Sequence, residues 1–134
     1  MARKELFYTE AGKGRDAGKT FFIREMAASQ AEWWAIRAGL AMARNGVELP
    51  DNFADMGMAG MAATGLKMVA KIPPEEAKPL LAELMECVQY VPDPSNQNIK
   101  RKLIEDDIEE VGTRLKLRAE VFKLHVDFLQ AAAQ

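Results

Sequence analysis

A glycine-rich segment, GKGRDAGKT, holds the residues closest to a known chemistry, because Gly18, Lys19 and Thr20 match the end of a phosphate-binding P-loop. In that motif the backbone amides and the lysine hold the phosphates of a nucleotide. The spacing does not fit, because the first glycine should lie five residues before Gly18, where Lys13 stands. The residues after Thr20 also favour a strand instead of the helix whose amino end would bind phosphate. The segment therefore does not predict nucleotide binding.

Nucleophilic and metal-binding side chains are few. His125 is the only histidine and Cys87 the only cysteine, and no second zinc-binding residue of either type stands near His125 in the sequence. A hydrolytic triad would need His125 beside Cys87 or a serine, but Ser29 is typical of a helix cap and Ser95 of a loop. We therefore expect no catalytic residue, no metal site and no cofactor.

Two runs of opposite charge lie side by side before the last helix. The acidic run at residues 105–110 could bind a metal or supply an acid/base pair, but carboxylates at a helix start also satisfy free amides and the helix dipole. The basic run IKRK at residues 99–102 has no interleaved aromatic residue. Capping is the favoured role of the acids, the basic run is interpreted as a solvated or partner-docking segment, and RNA binding is the weaker alternative.

The composition is that of an ordinary folded domain. The chain has 134 residues, of which 49% are hydrophobic and 28% charged, which argues against disorder. Its net charge of -2 disfavours general nucleic-acid binding, because DNA-binding proteins usually carry a basic excess. The single cysteine fits a reducing compartment. The opening residues lack the apolar stretch of a signal peptide, and no apolar run reaches the roughly 20 residues that cross a bilayer, so we expect a cytoplasmic location.

The pattern of elements predicts a mainly α fold with about four helices, a short N-terminal β-hairpin and a long C-terminal helix. We expect one domain over residues 1–134, in which residues 1–25 form the hairpin and residues 26–134 the helical body. The segments RKELFYT and KTFFIRE favour strands, and the segment between them contains three glycines. Because an isolated hairpin is marginal in water, its apolar side chains should lie partly against the helices or another subunit.

The first helix is predicted over residues 29–45, from a capping box of Ser29 and Glu32 to a terminus at Asn45-Gly46. Its helical spacing groups Trp33 with the apolar residues that follow one and two turns later, while Trp34 points about 100° away. One of the two tryptophans should therefore be partly exposed. A second helix is predicted over residues 53–71, which are rich in methionine and glycine.

Two further helices follow. The third begins at Pro73-Pro74, because proline suits the first turn, and a loop around VPDPSNQN ends it. The last helix opens near Asp106 and should exceed twenty residues. It carries one apolar stripe that includes Val111 and Leu115 and a second stripe beside it that includes Leu117 and Val121. Two charge pairs are expected on its solvent side at a spacing of four residues: these are Glu110 with Arg114 and Lys116 with Glu120.

The segments KTFFIREMAASQAEWWAIRAGLAM, ECVQYVPDPSN and LIEDDIEEVGTRLKLRAEVFKLHVDF together resemble the tail assembly chaperones of long-tailed bacteriophages and prophages. The resemblance covers most of the chain, and amphipathic helices and a short strand entering a helix carry it. It implies a small helical protein that binds the tape measure protein, keeps it soluble and helps recruit tail-tube subunits. The implied partners are the tape measure protein and the major tail protein. A homo-oligomer is expected from the broad last helix and the unpaired hairpin edges.

No binding residue follows from the resemblance, so exposed-apolar logic alone selects Trp34, Met58, Met61 and Phe128 as candidate partner-binding residues. A different role, as a tail or head-tail connector structural subunit, is the main alternative. A helical regulator of nucleic acid or a toxin partner is supported by the IKRK run alone. An enzyme is the least favoured class.

Overall fold

The computed structural model describes residues 3–48, 50–52, 55–56, 63–65 and 67–133, with side chains up to residue 125 in the last helix. Residues 63–65 and 67–69 are helical. The other elements in chain order are β1 (Glu5–Thr9), β2 (Thr20–Arg24), α1 (Ala28–Arg44), α2 (Pro74–Met85), β3 (Val88–Val91), β4 (Arg101–Lys102), a 3-10 turn (Glu105–Asp107) and α3 (Val111–Ala133).

The strands form one antiparallel sheet in the order β1-β2-β3-β4. The predicted hairpin is present, because β1 and β2 pair with Phe7 opposite Phe22. The mainly α class is wrong, however, because β3 and β4 extend this hairpin into a four-stranded sheet and make the fold a mixture of helix and sheet. The sequence VQYV was read as the end of a helix and the start of a loop, but its β-branched and aromatic residues pair with β2 instead.

The main core lies where one face of this sheet meets the helices. Phe21 and Ile23 of β2 are fully buried, and they belong to one cluster with Leu84 of α2 and with Leu117 and Val121 of α3. Each such side chain contributes roughly 1.5–3 kcal/mol when it is removed from water. The hairpin is therefore held in place by the helices, as the marginal stability of an isolated hairpin requires.

The sequence predicted the end of α1 correctly but not the cap at its start. The helix begins at Ala28 after Ala27, and no side chain caps it, so the predicted capping box of Ser29 and Glu32 is wrong. Its far end is confirmed, because the helix stops at Arg44 and Gly46 takes a φ of 70°, a left-handed conformation that glycine adopts without strain.

The predicted start of α2 is confirmed, since Pro74 lies at its first turn together with Glu75 and Glu76. The helix continues through Pro79 to Met85. Of the helix predicted over residues 53–71, the structure describes residues 55–56, 63–65 and 67–71, and it is helical at 63–65 and 67–69. The rest of that prediction lies outside the described residues.

Helix α3 has 23 residues, which confirms the predicted length, but it begins at Val111 and not near Asp106. Of the second stripe, Leu117 and Val121 are fully buried. The other stripe is wrong at its start, because Val111 and Leu115 are 74% and 57% exposed. No helix in the described part of the chain combines the length and the apolar character that crossing a membrane would take.

Candidate functional site

The segment that partly matches a P-loop forms a contact within the fold. The ammonium group of Lys19 donates hydrogen bonds to Asp16 Oδ1 and to the carbonyl oxygen of Asp107, both at 2.9 Å. Gly18 has a φ of 83°, which places it in the left-handed region at the end of the loop. The bond to Asp16 raises the pKa of Lys19. The lysine therefore joins the loop between β1 and β2 to the segment before α3.

Asp16 is the centre of this contact and is 1% exposed. Its carboxylate accepts hydrogen bonds from the backbone amides of Glu109 and Glu110, both at 2.9 Å, just before α3 begins. Burial alone would raise the pKa of Asp16, but the Glu109 amide and the Lys19 ammonium outweigh it and hold the pKa well below its usual range. A residue more than 90 positions away thus satisfies amides that the sequence assigned to nearby acids.

A second buried carboxylate, that of Glu10, lies in the same region. It accepts hydrogen bonds from the hydroxyl of Tyr8 at 3.0 Å and from Thr113 and Lys116 at 3.2 Å. Burial would raise the pKa of Glu10, but these donors lower it, while burial and the neighbouring carboxylate raise the pKa of Tyr8 to about 12. We call the set Glu10, Asp16, Lys19, Asp107 and Thr113 the polar joint.

A cavity of about 200 Å³ opens beside the polar joint. Its lining includes Glu10, Asp16, Thr113 and Lys116, together with three glycines. Both buried carboxylates already accept several hydrogen bonds from donors within the chain. Within the described part of the chain, no cluster of three or more histidine, cysteine or acidic residues is placed to hold a metal ion. The arrangement fixes the hairpin against α3 and has the properties of a structural contact.

The charged residues that flank the polar joint form ion pairs with residues of other elements, and not with residues four positions away along α3. Arg15 of the β1–β2 loop binds Glu110 through its Nε at 3.1 Å and donates to the carbonyl oxygen of Glu109 at 2.8 Å. Lys116 binds Glu10 and not Glu120. The expected pairs at a spacing of four residues are therefore wrong, because the β1–β2 loop brings other partners to Glu110 and Lys116.

The IKRK run packs on the sheet. Arg101 forms a two-bond pair with the carboxylate of Asp107 at 2.7 and 2.8 Å and lies 4.9 Å from the centre of the Tyr90 ring. The ammonium of Lys100 lies over the rings of Phe22 and Phe7, at 4.5 and 5.6 Å from their centres. Strands β1, β2 and β3 thus supply the aromatic residues that the run itself lacks.

The remaining reactive side chains are those of His125 and Cys87. Nε2 of His125 accepts a hydrogen bond from the amide of Met26 at 2.9 Å, and its Nδ1 lies 2.8 Å from the carbonyl oxygen of Val121. Because Nε2 accepts, Nδ1 is the nitrogen that donates to the Val121 carbonyl oxygen. Burial raises the pKa of the Cys87 thiol to about 11, so this cysteine is a poor nucleophile at neutral pH.

Helix α1 carries a row of three large apolar side chains that are exposed. Trp33, Ile36 and Leu40 are 56%, 44% and 53% exposed, and their spacing of three and four residues places them on one face. We call these three residues the α1 stripe. The guanidinium of Arg37 lies 5.7 Å from the centre of the Trp33 ring and pairs with Glu83 at 2.6 Å. Large apolar groups in such a row are typical of a protein-binding surface.

The opposite face of α1 is fixed to the rest of the fold. Trp34 is buried, and its indole donates a hydrogen bond to the carbonyl oxygen of Leu80 at 2.9 Å while its ring packs 5.9 Å from that of Phe122. Ala38 and Ala41 are buried on the same side, because their small side chains allow α1 to approach the core closely. The expected exposure of Trp34 is therefore wrong, and Trp33 is the exposed tryptophan.

The other candidate partner-binding residues are not placed. Met58 and Met61 lie outside the described residues, and Phe128 lies in α3 at a position where the structure does not describe the side chain. Sequence reasoning grouped Ala41 with Trp33, Ile36 and Leu40 by spacing, but Ala41 is buried while the other three are exposed. It also took Trp34 as the exposed residue. The signal for the correct choice was the pair of alanines on the Trp34 side, which marks a close helix contact.

The chain matches no known family model, and neither a curated protein nor a solved structure shows significant similarity to it.

Proposed function

We propose that this protein is a tail assembly chaperone of a long-tailed bacteriophage or prophage. In this role it binds the tape measure protein in the host cytoplasm, keeps it soluble and aids tail-tube assembly with the major tail protein, without catalysing a reaction. The resemblance of the chain to that family motivates the proposal. The α1 stripe is the single structural observation that supports it, because a chaperone of this type needs an apolar surface for a client.

The spacing of the α1 stripe suits a helical client. Trp33 and Leu40 are seven residues apart, which on a helix corresponds to roughly 10 Å along the axis. A row of this length matches two turns of a partner helix and its apolar residues three and four apart. A tape measure protein, as the family resemblance implies, offers many such helical stripes that require cover before the tail assembles.

Helix α1, which carries the α1 stripe, is fixed to α2 by side-chain contacts. The Trp34 indole anchors the helix to α2, Arg37 pairs with Glu83 of α2, and Arg44 pairs with Glu76 near the start of α2. A helix held in this way loses little backbone freedom when a partner binds. The binding energy of the exposed side chains is therefore available for the client.

Co-expression with the neighbouring tape measure gene tests the proposal. We expect the unmodified protein to keep the tape measure protein soluble and to co-elute with it from a sizing column. The double variant Ile36→Gln, Leu40→Gln should lose both effects, because it replaces exposed apolar groups with polar ones of similar length on a good helix former. Val111→Gln with Leu115→Gln is the matched control, since both residues are exposed at the start of α3.

The proposal fails if the unmodified chain neither solubilises nor co-elutes with the tape measure protein. It is also wrong in its choice of surface if the α1 and α3 double variants behave alike. Mass spectrometry of purified virions separates the main alternative, a tail or head-tail connector structural subunit. A stoichiometric amount of this chain in finished virions would favour that alternative, whereas a chaperone should be absent from them.

A further inference from the structure

Strand β1 lies at an edge of the sheet, and within the described residues no other strand pairs with its outer side. Two backbone hydrogen bonds at its ends define which residues face β2. The amide of Glu10 donates to the carbonyl oxygen of Lys19, and the amide of Glu25 donates to that of Lys4, both at 2.9 Å. In an antiparallel pair, residues that share such bonds alternate with residues that do not.

This alternation fixes the outer edge of β1. Leu6 and Tyr8 lie at steps of two residues between the bonded residues Lys4 and Glu10. Their backbone N–H and C=O groups therefore also point to β2. Glu5, Phe7 and Thr9 therefore direct their N–H and C=O groups away from β2, along the free edge. Their side chains share the sheet face that is turned away from the main core, and Phe7 is 41% exposed there. An edge of this kind is a template for another strand.

The sequence of β1 is complementary to a second copy of itself around Phe7. With two antiparallel copies related by a two-fold axis, Phe7 lies opposite Phe7, Leu6 opposite Tyr8, and Glu5 opposite Thr9. Every residue of the strand is then paired, and the apolar pair continues the core face across the junction. A register shifted toward the start of the strand would instead place Glu5 opposite Glu5, which like-charge repulsion disfavours.

Two-fold symmetry repeats each of these pairs at the other end of the junction. Residues 5–9 thus match themselves in length and polarity. We propose that the β1 edge binds a second copy of this chain, which joins two four-stranded sheets into one of eight strands. The proposal is independent of the client-binding role given above.

Charged substitutions of Phe7, which lies at the two-fold axis, test this dimer. Light scattering on a sizing column measures the molar mass of each variant. We expect the unmodified chain to have the mass of two chains. Phe7→Lys and Phe7→Glu should each have the mass of one chain, because each places like charges directly opposite one another. An equal mixture of the two variants should return to the mass of two chains, since lysine then faces glutamate. Leu115→Lys, at an exposed site on α3, should keep the mass of two chains.

The mixture protects the test against a trivial explanation, because variants that fail to fold would not recover a dimer on mixing. A single-chain mass for the unmodified protein at every concentration overturns the proposal and leaves the edge to a strand of another protein. An unchanged two-chain mass for Phe7→Lys, or a mixture that stays at the mass of one chain, overturns it as well.

Discussion

The polar joint and the α1 stripe are two parts of one small fold, and their side chains have opposite environments. In the polar joint, Asp16 and Glu10 are buried charged groups, and each accepts several hydrogen bonds from the chain itself. In the α1 stripe, large apolar side chains face solvent while the other side of the same helix is packed. Buried charges without partners are costly, whereas exposed apolar groups cost little until a partner covers them.

This difference separates stability from binding. Polar side chains that bind one another within the chain hold the fold, and apolar side chains that stay exposed are available for another molecule. Substitutions in the polar joint should therefore change the free energy of unfolding, and substitutions in the α1 stripe should change binding. The predictions below examine that separation, beginning with the largest expected effect.

Replacing Asp16 with alanine should have the largest effect. The change leaves the Lys19 ammonium and the amides of Glu109 and Glu110 without their buried acceptor, and we expect a loss of about 3 kcal/mol in the free energy of unfolding. Urea denaturation followed by circular dichroism measures it. Asp16→Asn should be less destabilising, because the amide oxygen still accepts one hydrogen bond.

Asp93→Ala provides the control for Asp16, because Asp93 is exposed and bonds to Ser95 in its own loop. Its urea midpoint should stay close to that of the unmodified chain. Equal losses for the Asp16 and Asp93 variants would contradict the view that the polar joint holds the hairpin to α3.

The polar joint also predicts how stability depends on pH. The folded-state pKa values of Asp16 and Glu10 lie below their ordinary values of 3.8 and 4.5, so the unfolded chain takes up protons more readily than the folded one. The stabilisation is complete above those ordinary values and is lost as the pH falls below them. Titrating the free energy of unfolding from about pH 7 to about pH 3 measures it.

This acid effect should be smaller than that of Asp16→Ala, because a protonated carboxyl keeps its shape and part of its hydrogen bonding. The variant Asp16→Asn should have a shallower decline on the acid side than the unmodified chain. A decline of unchanged steepness in that variant would assign the acid sensitivity to other carboxylates.

The polar joint also marks the limit of prediction from this sequence. The hairpin, the far end of α1, the start of α2 and the length of α3 were predicted correctly, because each depends on residues that are close in the chain. Asp16 and the amides it caps are 93 and 94 positions apart. Local patterns assigned those amides to acids in the same segment, and no spacing rule connects the two.

Strands β3 and β4 were missed for a related reason. The apolar residues of VQYV follow α2 closely, with Met85 as its last residue, and they continue a pattern that also fits a helix. Their pairing with β2 decides the outcome, and that pairing joins residues about 70 positions apart. Strand β4 has two residues and carries no periodic signal. The mainly α prediction therefore failed where tertiary pairing overrides local preference.

The smallest effect on stability is expected in the α1 stripe, which gives the sharpest contrast with Asp16. Ile36→Gln with Leu40→Gln should leave the free energy of unfolding within about 0.5 kcal/mol of the unmodified value, because both side chains are about half exposed and glutamine suits a helix. Urea denaturation at low protein concentration measures this. A loss comparable to that of Asp16→Ala would mean that the stripe is already covered in the isolated protein, so that it serves stability and not the capture of a client.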